Sequence, residues 1–154
     1  MNETESSAFE TPRAGFRKRL YGFAAVVALF GLADGIYLTV EHVTGRTAQC
    51  IASSGCQEVL SSKYAAIGPI PLASLGALAY FTAFSTALLA AFGSAKFRSL
   101  FALLVGIMFA VTFWLFYLQA FVLHAFCDYC LLSAGVTTVL TLIVITNAVL
   151  RDPR

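Results

Sequence analysis

The chain has 154 residues, of which 59% are hydrophobic and 12% charged, and its net charge is only +2. Globular domains carry roughly 45–50% apolar and about 25% charged residues, and a domain this short leaves too much of its surface wet to hide the surplus. A mean hydropathy of +0.82 excludes disorder, and the small net charge offers no basic patch for nucleic acid, so an integral membrane protein remains.

Residues 1–19 read as a disordered cytoplasmic tail that opens with the polar run MNETESSAFETP. A membrane-spanning helix takes about 20 apolar residues, and four stretches qualify. The first is 20–40, interrupted only by Asp34. The second and third, 72–93 and 100–123, are apolar almost throughout, and the fourth, 127–150, carries its one charge, Asp128, at its start. The first is too long for the core of a signal peptide and lacks a small-residue cleavage site after it. The expected fold is therefore an all-α membrane protein, a four-transmembrane-helix bundle with little outside it except the loop 41–71. Residues 151–154 form a second short tail.

Within that loop, Ser54-Gly55 reads as a cap for a short amphipathic helix from Cys56 to Tyr64. Pro71 suits the first turn of the second span. Gly22, Gly31, Gly35 and Gly76 suit close helix packing. Arg13, Arg17, Lys18, Arg19, Lys96, Arg98, Arg151 and Arg154 fall on one side of the membrane, and only Arg46 and Lys63 on the other. Positive charge concentrates in cytoplasmic segments, so both termini are expected in the cytoplasm and the 41–71 loop outside.

All four cysteines then lie at the outward face: Cys50 and Cys56 in the loop, Cys127 and Cys130 at the start of the fourth span. Disulfides persist on that side of a membrane. Three chemistries suit four such thiols. One is a pair of structural disulfides. A second is a Cys₄ zinc site, for which the spacing of Cys50 and Cys56 is poor. The third is a redox relay. Residues three apart on a helix share a face, so Cys127 and Cys130 can close a small disulfide, and a helix N-terminus favours thiolate. Asp128 opposes that effect, which leaves the net shift of Cys127 open. So short a ring adds little stability, and a second pair on a loop can pass electrons by thiol–disulfide exchange.

Several elements in order resemble the vitamin K epoxide reductase family in its bacterial form: Asp34-Gly-Ile-Tyr37-Leu38-Thr39; Cys50-x₅-Cys56-x-x-Val59-x-x-Ser62; Gly68-x-x-Pro71 followed by Gly76; and Val122-Leu123-His124-Ala125-Phe126-Cys127-Asp-Tyr-Cys130. The likeness runs from about residue 20 to 150. It implies a membrane thiol:quinone oxidoreductase in the bacterial inner membrane, with menaquinone or ubiquinone as the electron acceptor. A periplasmic thioredoxin-like protein acting in trans would be the electron donor, because no thioredoxin-like domain lies within the 154 residues. By the same resemblance Cys130 faces the quinone, Cys127 exchanges with Cys56, Cys50 meets the partner, and Ser62 holds a quinone oxygen or steadies the thiolate. Tyr80, Trp114 and Tyr117 become candidates for the quinone pocket, alongside Phe113 and Gln119. Animal members carry a tyrosine where this chain has Ala134 and an asparagine where it has Leu72, which favours plain quinone reduction over epoxide reduction.

Asp34 admits a structural role or a place in a proton route, and His124 could steady a thiolate. The reversed order of the two pairs separates the chain from the disulfide-bond B type. The runner-up function is a non-enzymatic membrane scaffold or transporter subunit with two structural disulfides.

Overall fold

The computed structural model describes residues 12–46, 50–51 and 55–150. The expected tails at 1–11 and 151–154, and Ser54 of the expected helix cap, lie outside the described residues. Helix α1 covers Pro12–Val43, the short α2 Cys56–Leu60, α3 Leu72–Ala91, α4 Ala95–Tyr117 and α5 Asp128–Val149. Four of these helices are long and apolar enough to cross a membrane.

Two boundaries differ from expectation. Helix α1 begins at Pro12, so residues 12–19 are helical rather than part of a disordered tail. The proline supplies a favourable first helical φ, and its missing N–H falls where no intrahelical acceptor exists. At 1.5 Å per residue, 32 residues reach about 48 Å, well beyond the roughly 30 Å of a bilayer core. The basic run Arg17-Lys18-Arg19 therefore rides on a helical extension. The short helix stops at Leu60 instead of Tyr64. A two-residue antiparallel pair, β1 (Ala66–Ile67) with β2 (Ile70–Pro71), takes up the rest of the loop. Gly68 makes the turn at φ 63°, a backbone region open to glycine without steric cost.

Helices α1, α3, α4 and α5 form a closed ring in which each packs on two neighbours, α1 on α3 and α5, α4 on α3 and α5. Lipid tails are as apolar as leucine, so such helices associate through close contact between small residues. Ala24, Ala25 and Ala28 of α1 and Ala83, Ala87 and Ala90 of α3 are all buried. A Cβ at Gly31 would overlap the Tyr80 ring, and one at Gly35 would lie 3.0 Å from the backbone nitrogen of Ala77. Gly22 and Gly76 face no atom within 4 Å, so they do not share that packing role. Across the centre, Tyr21 meets Phe101 edge-on at 5.7 Å, and Asn147 donates a side-chain hydrogen bond to the Tyr21 hydroxyl.

Toward its end α4 widens into a π-helical segment, Leu118–Leu123, and His124 then breaks the helix with a left-handed backbone, φ 49°. The break lets the chain reverse in four residues and start α5 at the second cysteine motif. π turns recur at functional sites, and this one sits beside all four cysteines.

Candidate redox site at one end of the bundle

The loop disulfide and the helix thiols meet in a small buried cluster. Cys50 and Cys56 form a disulfide, while Cys127 and Cys130 are free thiols. Cys56 and Cys127 are 1% and 0% exposed and pack together with Val59 and Ala125. Cys50 and Cys130 lie at the edges of the same cluster.

The loop is docked by its backbone. Gly55 sits directly on the turn before α5, where a Cβ would be 2.6 Å from the Phe126 carbonyl oxygen and 2.9 Å from its nitrogen. Only a residue without a side chain allows that approach. The Ile51 N–H donates to Asp128 Oδ2 at 2.9 Å, and the Asp128 carboxylate lies within 4.8 Å of both loop sulfurs. Asp128 thus clamps the loop onto the motif it interrupts. The sequence presents Asp128 only as an unfavourable charge beside Cys127; its actual partner is 77 residues away in the chain.

Cys127 caps α5, with its own N–H donated to Gln119 Oε1 at 3.0 Å. Gln119 is 4% exposed and also accepts the Ala125 N–H on its backbone oxygen. One residue of the π segment therefore holds both ends of the turn that presents the thiol. The Cys127 thiol is pulled down from 9.0 to about 7, first by the hydrogen bond from the Cys130 thiol. The backbone N–H groups of Cys130 and Tyr129 help, against burial and, whenever it is ionised, the Asp34 carboxylate. The net direction, open from sequence, is toward thiolate.

Next to these thiols lies a cavity of about 350 Å³, within the range of small-molecule sites. Cys130, Ser62, Tyr80 and Asp34 contribute to its wall, as do Leu72 and Ala134. Tyr80 is 3% exposed. Its hydroxyl is pinned by the Ser133 carbonyl at 2.9 Å, the Ser133 hydroxyl at 2.8 Å and Thr137 Oγ1 at 2.9 Å. Ser62 Oγ donates to the Val59 carbonyl at 2.7 Å, so its proton is committed and its oxygen is left as an acceptor.

The expected aromatic wall is corrected on two residues. Trp114 and Tyr117 are 59% and 46% exposed, stack on each other at 6.0 Å, and are not on the cavity. Phe113 is exposed as well. The helical period explains this: Thr112, Leu115 and Gln119 face the cavity from α4 and its π extension, with the exposed Phe116 at the cavity's edge, which turns positions 113, 114 and 117 to the lipid. His124 is likewise exposed, and its part is to break the helix.

A model of the vitamin K epoxide reductase family matches residues 23–145, and the chain belongs to that family. No curated protein sequence matches it.

Proposed function

We propose that this membrane oxidoreductase passes electrons from a thioredoxin-like thiol protein, through its two cysteine pairs, to a quinone, and so supports disulfide-bond formation. The observation that supports this most directly is the ordered placement of four sulfurs. A partly exposed loop disulfide abuts the buried thiol of Cys127, and its half-buried neighbour Cys130 opens on an apolar cavity.

The cavity fits a quinone headgroup by volume and by a mainly apolar surface with polar groups on its wall, Ser62 and Asp34 among them. Tyr80 and the disposition of α4 shape it. A quinone bound there supplies an acceptor for two electrons and two protons. The chain's own steps are thiol exchanges. Cys50 takes electrons from the partner as the loop disulfide opens. Cys56 then attacks Cys127 when Cys127 and Cys130 are bridged, releasing Cys130; Cys50 attacks Cys56 in the mixed disulfide and displaces Cys127, which regenerates the loop disulfide and leaves the helix pair reduced. That pairing, loop oxidised and helix reduced, is the one the structure holds.

Leu72 and Ala134, which replace polar residues of animal members, both line the cavity. This supports quinone reduction over epoxide reduction. The charge bias of the sequence supports a bacterial inner-membrane location with both termini in the cytoplasm. Two adjacent unbridged thiols do not suit the scaffold reading, which needs two structural disulfides.

The test is purified protein in detergent with a reduced thioredoxin-like donor and a short-chain ubiquinone. Quinol should form, and Cys130→Ala should abolish its formation. Undiminished turnover in that variant would remove the proposed route.

A further inference from the structure

Among the described residues Asp34 is the one acid buried within a span, and nothing in the cysteine relay uses it. Its side chain is 8% exposed. Its Oδ1 is buried with no hydrogen-bond partner, and among the described residues it is the sole such orphan that belongs to the cavity wall. A buried polar atom left unpaired is costly, more so when charged, so its presence in a cavity wall calls for a partner that completes it.

Two neighbouring cavity hydroxyls are committed. Ser62 gives its proton to Val59, and the Tyr80 hydroxyl is held by Ser133 and Thr137. Asp34 also lines a second, shallower groove between α1 and α5, which it and Tyr129 share with the cavity. It stands where a cavity ligand and the membrane face of the bundle meet.

We propose that Asp34 is the proton donor to the bound quinone, its Oδ1 facing a quinone oxygen. This rests on the quinone-reductase reading above. The proton balance calls for such a group. With Cys127 as thiolate, the reduced pair holds one proton, on Cys130, while a quinol needs two. When the Cys127–Cys130 bond forms, two electrons leave the sulfurs for the quinone; one proton comes from Cys130 and the other from the Asp34 carboxyl. The products are the disulfide, the quinol and an Asp34 carboxylate. Asp34 regains its proton from the next reduced pair, as Cys127 ionises. Over one cycle a dithiol and a quinone give a disulfide and a quinol.

The experiment uses the full chain in detergent with a short-chain ubiquinone. Infrared spectra of wild-type protein should show a protonated-carboxyl band that shifts on aspartate-specific ¹³C labelling and moves again when the quinone is added. Asp34→Asn keeps the shape and should remove the band. It should also lower kcat for quinol formation by about 10²-fold, within the usual range for proton transfer by a positioned side chain, and leave KM nearly unchanged. Asp34→Glu should restore part of kcat. Full-speed turnover in Asp34→Asn, or a wild-type spectrum with no labelled carboxyl band, would overturn the role of Asp34. A wild-type protein that reduces no quinone would instead remove the function on which it rests. If Asp34→Asn does not fold, the labelled wild-type spectra decide alone.

Discussion

The hydrogen bond from Cys130 to Cys127 can be weighed by removing the donor. In the structure it is the first cause of a Cys127 thiol held at about 7 instead of 9.0. One pKa unit is 1.36 kcal/mol, so the fall corresponds to about 3 kcal/mol in favour of thiolate. At pH 7 about half of the Cys127 population is then ionised, against about 1% for an unperturbed thiol. Cys130→Ala should move the titration midpoint most of the way back toward 9.0, with the backbone N–H groups at the start of α5 retaining a small part. The thiolate fraction at pH 7 falls about 50-fold. A more basic thiolate is a better nucleophile, with a Brønsted slope of about 0.4–0.5, and this returns about eightfold. The net loss in exchange rate at Cys127 is therefore about sixfold. Thiolate absorbance of the reduced protein, titrated from pH 5 to 10, reads the midpoint directly. The sign for stability follows. A depressed thiol stabilises the fold fully above pH 9, and that contribution fades as pH falls to 7. The reduced wild type should lose thermal stability across this window, and Cys130→Ala should lose less. A midpoint that stays near 7 in Cys130→Ala would refute the assignment of the shift to this hydrogen bond.

Other substitutions test the supports of the site. Gly55→Ala sets a methyl group against the Phe126 backbone, which cannot yield. It should lift the loop and cut the yield of the Cys56–Cys127 mixed disulfide trapped in a Cys50→Ala, Cys130→Ala background; an undiminished yield would show that the docking is loose. Gly31→Ala drives a Cβ into the Tyr80 ring, which three hydrogen bonds hold in place. Overpacking of this kind costs about 1–3 kcal/mol, to be read as a lower melting temperature together with weaker quinone binding. Gln119→Leu leaves the buried Cys127 N–H unpaired, at about 1–3 kcal/mol. Thermal unfolding should show the loss, and equal stability would mean that another acceptor takes over.

The four helices, their order and the two cysteine pairs were readable from composition and spacing alone, because lipid permits few structures and apolar runs of about 20 residues announce them. The faces of those helices were harder. A lipid-facing stripe and a core stripe are both apolar, so hydrophobic periodicity could not say that Thr112 and Leu115 turn toward the cavity while Trp114 and Tyr117 turn out. The start of α1 at Pro12 was hidden by the polar composition before it, since a helix that projects beyond the bilayer has no need of apolar residues. Gln119 and Asp128 were visible as residues, but not as supports. Each acts through a backbone N–H that only the folded turn supplies, and one of those turns depends on a π segment with no simple sequence signal.

Burial along the four sulfurs also constrains the thiol exchanges open to them. Cys50 is partly exposed, Cys56 and Cys127 are sealed from solvent, and Cys130 opens on the cavity. Thiol–disulfide exchange needs the attacking sulfur to reach its target, so a soluble partner can attack at Cys50 and has no access to Cys56 or Cys127. The buried pair can be reached only from the loop side through Cys56 or from the cavity side through Cys130. The Gly55 contact holds the first approach in place, and the hydrogen bond from Cys130 favours the Cys127 thiolate for bond formation in the second. A soluble oxidant of similar size to the partner is shut out by the same packing. Small exposed thiols would leak electrons to it; these sulfurs are arranged so that, besides exchange back to the loop through Cys56, the cavity at Cys130 is the way out of the reduced helix pair.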